Sequence, residues 1–95
     1  MIQFVYPAVF YVQEDEIEPF CVYFPDLDIG TEGISVEEAF LFAKEYLKLH
    51  LTTAIKNDIE YERPSKYQEI SKKFSAYKTM LVDVCLDVDK IKKTN

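Results

Sequence analysis

Ser35-Val36-Glu37-Glu38-Ala39-Phe40-Leu41-Phe42-Ala43-Lys44-Glu45-Tyr46-Leu47-Lys48-Leu49-His50-Leu51-Thr52-Thr53-Ala54 is the stretch on which the fold turns. It opens with a capping box: the Ser35 hydroxyl can accept from the Glu38 N–H while the Glu38 carboxylate reaches back. At about 100° per residue, Val36, Ala39, Phe40, Ala43, Tyr46, Leu47, His50, Leu51 and Ala54 fall on one continuous arc. The spacing therefore predicts a long amphipathic helix with one face against a sheet. Phe42 and Leu49 lie beyond the edge of that arc and need a cover, either the C-terminal segment or another chain. The helix should fade near Asn57-Asp58, because Pro64 biases the residue before it away from helical geometry.

Upstream, residues 2–12 are rich in β-branched and aromatic side chains, with Ile2, Phe4, Tyr6, Ala8, Phe10 and Val12 on one face. That is a strand with one buried face, and Pro7, which has no N–H, should sit at an edge or a bulge. Gln13-Glu14-Asp15-Glu16 reads as a solvated turn, Phe20-Cys21-Val22-Tyr23-Phe24 as the returning strand, and Gly30 to Gly33 as a short third strand or tight turn. Downstream, Ser65-Lys66-Tyr67-Gln68 repeats the capping pattern, so a short helix should run to about Lys73. Thr79 to Asp89 then alternates, with Met80, Val82, Val84, Leu86 and Val88 on one face and Thr79, Leu81, Asp83, Cys85, Asp87 and Asp89 on the other. A strand reached after a long helix implies a right-handed crossover and parallel pairing. The expected architecture is α+β, a βββαβ domain with a long helix packed on one face of one sheet.

A chain of 95 residues is one domain's worth, and 48% hydrophobic with seven Tyr and seven Phe is enough for a packed core. A single domain spanning 1–95 is expected. No apolar run is long enough to cross a bilayer, and Met1-Ile2-Gln3-Phe4 lacks a basic start, so a cytoplasmic location is expected. Cys21 and Cys85 read as two separate buried hydrophobes rather than a disulfide or zinc pair. The net charge is −6. Residues 1–62 hold thirteen acids against three lysines, and residues 63–95 hold eight bases against four acids. An acidic front favours a basic protein partner over nucleic acid, and solubility alone would also account for it.

No candidate for catalysis stands out. His50, the single histidine, falls inside the apolar arc with no Ser or Cys at a spacing that poises a nucleophile, and reads as a core-edge residue. Asp83, Asp87 and Asp89 share a strand face, and Asp26, Asp28 and Glu32 cluster near the strand-to-helix junction. Converging carboxylates can hold two Mg²⁺ ions for phosphodiester hydrolysis, which makes a metal-dependent nuclease the rival reading. A spacing of two along a strand spreads such carboxyls by roughly 6.6 Å, which favours a solvated acidic surface. No metal or other cofactor is expected, and no Gly-rich phosphate loop, HExxH or CxxC pair occurs. Lys72, Lys73, Lys78, Lys90, Lys92 and Lys93 have only Phe74 and Tyr77 interleaved, so they read as a solvated basic tail rather than a nucleic-acid module.

In order, Tyr6-Pro7-Ala8-Val9-Phe10, Tyr23-Phe24-Pro25-Asp26-Leu27, Gly30-Thr31-Glu32-Gly33, Glu37-Glu38-Ala39 with Ala43-Lys44-Glu45, and Arg63-Pro64-Ser65 resemble the N-terminal domain of HicB-type antitoxins. The resemblance implies a partial ribonuclease H-like fold and a non-catalytic member of a type II toxin-antitoxin system. Such a protein binds and masks a small basic toxin ribonuclease of HicA-like type. The chain departs from the family at Asp28-Ile29, where a Pro-Gly-Cys turn is common. It also reaches Asn95 soon after its last strand, without a recognisable C-terminal DNA-binding domain, which counts against DNA binding. Charge steers encounter and apolar anchors hold it, so Asp26, Asp28, Glu32, Phe42, Glu45 and Leu49 are the expected partner-contacting residues. A homo-oligomer is also expected, and an orphan oligomeric module with Phe42 and Leu49 as its seam is a further alternative.

Overall fold

A computed structural model describes residues 1–93. The elements are β1 (Ile2–Val12), β2 (Phe20–Phe24), β3 (Ile29–Gly33), α1 (Val36–Lys56), α2 (Tyr67–Lys73), β4 (Lys78–Leu86) and α3 (Val88–Lys93). The strands form one sheet in the order β3-β2-β1-β4. The α+β class and the three opening strands are as expected. The βββαβ order holds, the short helix expected to end near Lys73 is α2, and α3 is the one element not expected; residues 94 and 95 of the expected domain lie outside the described residues.

The capping box closes α1 as the sequence implies. The Glu38 N–H donates to Ser35 Oγ at 3.1 Å, while the Glu38 carboxylate accepts from the Ile34 N–H, one residue earlier than the Ser35 N–H. Asn57 caps the far end. Ala39, Ala43, Leu47, Leu51, Ala54 and Ile55 are its buried residues; Ile55 extends the predicted arc, whereas Val36 and Tyr46 stay exposed. α1 packs on Tyr6 and Ala8 of β1, Val22 and Phe24 of β2, and Val82, Val84 and Leu86 of β4. Gly33 is required here, because a Cβ on it would stand 2.6 Å from the backbone nitrogen of Ala39.

The expected parallel pairing is overturned: β4 runs antiparallel to β1, from Ile2↔Leu86 to Phe10↔Lys78. A single crossover helix returns the chain to the end where the preceding strand began. Here a segment without helix or strand, residues 59–66, and α2 carry it to the opposite end before β4 starts. Pro7 also departs from expectation. It is buried in a central strand whose register with β4 is unbroken, so there is no bulge. Pairing of β1 with β2 spans only Val9 to Val12, so on that side Pro7 has no strand neighbour, and its missing N–H costs no ladder bond there.

The sheet is covered on both faces rather than one. α2 packs on β4 and β1 across the face opposite α1, burying Ile70, Thr79 and Val9. Tyr67 Oη donates to the Thr79 carbonyl at 3.2 Å. The capping assignment for α2 is corrected. Lys66 occupies the N-cap position without a side-chain bond, because the Ser65 hydroxyl is engaged elsewhere. The predicted strand to Asp89 stops at Leu86, and Val88 and Asp89 begin α3. Asp87 turns the chain by accepting the Lys90 N–H at 3.2 Å.

Candidate protein-interaction surface

The six residues expected to contact a partner do not form one patch. Asp26 follows β2 and is spent internally: its two carboxylate oxygens accept the Ser65 N–H at 2.8 Å and the Ser65 hydroxyl at 2.5 Å. Beside it, Tyr6 Oη donates to the Glu62 carbonyl at 2.7 Å, and the Tyr61 ring meets Phe4 edge-on at 6.3 Å. These contacts pin residues 61–65 past the end of β2, where the chain crosses from one face of the sheet to the other. Burial, with Tyr61 and Asp26 nearby, pushes the Tyr6 phenol up to about 12.

Phe42, Glu45 and Leu49 lie on the solvent side of α1, and Phe42 and Leu49 are 38% and 60% exposed. α3 does not cover them. It packs near Lys48 and Thr52, on the flank of α1 that faces β4.

Asp28 and Glu32 belong to a different surface. Paired residues share a face, so Tyr11, Cys21 and Glu32 form one row across β1, β2 and β3, and Val9, Tyr23 and Gly30 form the next. This row lies on the face opposite α1. Tyr77 continues it, stacked at a tilt on Tyr11 with ring centroids 5.5 Å apart. Asp28, with a left-handed φ of 51°, accepts from Tyr23 Oη at 2.5 Å. That bond raises the Tyr23 phenol, and burial raises both Tyr11 and Cys21, the latter with Glu32 and Glu16 adding to the effect. Cys21 is therefore a poor nucleophile. It is buried as predicted, but Cys85 is exposed at the edge strand, against expectation.

The rings of Tyr11, Tyr23, Phe74 and Tyr77, with Val9 beneath, line an open cleft of about 290 Å³. Sequence reasoning missed this cleft. The signal was present, since four of the five odd positions of β1, namely Val5, Pro7, Val9 and Tyr11, are apolar as well, the mark of a strand covered on both sides. What the sequence withheld is that α2 stops short of β2 and β3.

The carboxylates invoked for a nuclease do not converge. Asp83 receives the Gln3 side-chain amide at 3.3 Å and Lys44 Nζ at 3.8 Å, Asp87 caps α3, and Asp89 sits within it. Among the described residues no group of three or more His, Cys, Asp and Glu is arranged around a common point. His50 is half-buried beside Leu27, Glu60 and Tyr61, with no Ser or Cys lining that cleft. Among the described residues no helix is long and apolar enough to cross a membrane.

No protein-family model matches the chain, and neither does any curated protein. Solved structures do match in fold. A chain of a toxin-antitoxin complex from Streptococcus pneumoniae superposes with a TM-score of 0.72 at 23% identity, covering 94% of this chain and 72% of that one. The Burkholderia pseudomallei antitoxin HicB gives a TM-score of 0.72 at 21% identity, over 93% of this chain and 67% of that one. The chain thus has the fold of a HicB antitoxin, in keeping with the family its motifs resemble.

Proposed function

We propose that this protein is an antitoxin of a type II toxin-antitoxin system, a non-catalytic module that binds a small basic toxin ribonuclease of HicA-like type and blocks its RNA-cleaving surface. The observation that carries the proposal is the fold likeness, over nearly the whole chain, to a component of a toxin-antitoxin complex and to a HicB antitoxin. The acidic first 62 residues support it, because a negative surface draws a basic partner and repels RNA. So does the internal use of Asp26, Asp83 and Asp87, which leaves those carboxylates with structural tasks. The exposed Phe42, Tyr46 and Leu49 on α1 support self-association as a second contact.

The test is co-purification at low salt from a lysate of the source organism, followed by an RNA-cleavage assay on any small basic protein recovered. A recovered protein that cleaves RNA alone and stops when this chain is added supports the reading. Cleavage of RNA or an RNA–DNA hybrid by this chain itself with Mg²⁺ or Mn²⁺ would overturn it in favour of the nuclease.

A further inference from the structure

We infer that the half of the sheet left open by α2, the cleft lined by Tyr11, Tyr23, Phe74 and Tyr77 and rimmed by Asp28 and Glu32, receives arginine or lysine side chains of a basic protein partner. The identification of that partner as the toxin rests on the antitoxin reading; the chemistry of the cleft does not.

Two independent features meet there. The first is aromatic: four rings face a cleft on a surface where an ordinary antiparallel sheet would present polar side chains. A guanidinium or ammonium within about 6 Å of a ring centroid is attracted to its face. Lys73 Nζ already stands 5.9 Å from the Phe74 centroid, so the rings left to a guest cation are Tyr11, Tyr23 and Tyr77. The second is charge. Glu32 ends the Tyr77–Tyr11–Cys21 row, and Asp28 is held at the lip by Tyr23 Oη. Glu16 acts on Cys21 from the β1–β2 connection. An apolar guest would leave the Glu32 carboxylate facing it without a counter-charge, and an anion would be repelled by all three acids. Gly30 contributes shape. It places no side chain beside the Tyr23 ring, where a Cβ would stand at a contact distance of 3.6 Å from Tyr23 Cδ1.

The outer side of α1 is the competing surface. It offers Glu37, Glu38 and Glu45 beside the exposed stripe of Phe42, Tyr46 and Leu49, but among the described residues no cleft lined by several rings.

The probe is a blocked penta-arginine peptide titrated into the full ¹⁵N-labelled chain, with penta-citrulline, similar in shape but uncharged, as the control. Amide shifts should concentrate at Tyr11, Tyr23, Glu32 and Tyr77, and citrulline should leave them in place. Tyr77 is 53% exposed and Glu32 is exposed, so Glu32→Gln and Tyr77→Ala should fold normally, and together they should weaken binding about tenfold. Shifts centred on Glu37 and Glu45 instead, or equal binding by the double variant, would overturn the inference. The two readings fail separately. A toxin captured equally well by wild type and double variant removes the cleft and keeps the antitoxin. Arginine binding at the cleft without any RNA-cleaving partner keeps the cleft and removes the antitoxin.

Discussion

Replacing Asp26 with Ala should destabilise the protein strongly while leaving its rate of association with a basic partner unchanged. The carboxylate accepts two hydrogen bonds from Ser65 at 2.8 and 2.5 Å, and that single residue ties the crossing segment to the end of β2. A hydrogen bond to a charged group contributes about 1.5–3 kcal/mol. Asp26 and Ser65 are only half-buried, so the lower end applies to each bond and the loss is about 3 kcal/mol. For a domain of this size that lowers Tm by about 15 °C. Ser65→Ala removes the hydroxyl bond but keeps the N–H bond, and should cost about half as much. The double variant should be no less stable than Asp26→Ala alone, because both substitutions act on the same pair, and urea unfolding of the four proteins would measure that coupling. A Tm within about 2 °C of wild type for Asp26→Ala, together with slower association at low salt, would refute the reasoning and return Asp26 to the docking surface.

Tyr6→Phe removes the bond to the Glu62 carbonyl and should cost about 1 kcal/mol near neutral pH. The folded phenol titrates at about 12 and the unfolded one at 10, so the folded state holds the proton longer. Wild-type stability is full below pH 10 and should fall as pH rises towards 12, and the Tyr6→Phe protein should show a shallower fall in alkaline urea titrations. Gly33→Ala places a Cβ against the α1 backbone and should lower stability by about 1–3 kcal/mol. Gly30→Ala meets the Val22 carbonyl at 3.3 Å and should cost less, a ranking readable from thermal melts. Ser35→Ala should cost about 1 kcal/mol by stripping the Glu38 N–H of its acceptor, with the first turn of α1 exchanging amide protons faster.

Local rules determined a good part of this protein from sequence alone. The Ser35/Glu38 box, the helical period after it, and the alternation of Met80 to Leu86 depend on neighbours within a few residues, and the structure reproduces each, whereas Ile2–Val12, read as a strand with one buried face, is buried on both faces at its centre. The acidic character of the front two-thirds is likewise a property of composition. Tertiary structure alone decided the direction of β4. Strand alternation is the same for parallel and antiparallel pairing, and the segment 59–66 that reverses the outcome carries no periodic signal. It also decided what the acids do. Asp26 and Asp28 are two residues apart, yet one is engaged by Ser65, 39 positions away, and the other sits at the lip of an aromatic cleft. That cleft is assembled from side chains of β1, β2 and the α2–β4 connection. Contacts of such sequence separation are set by the packing of whole elements, which no local pattern encodes.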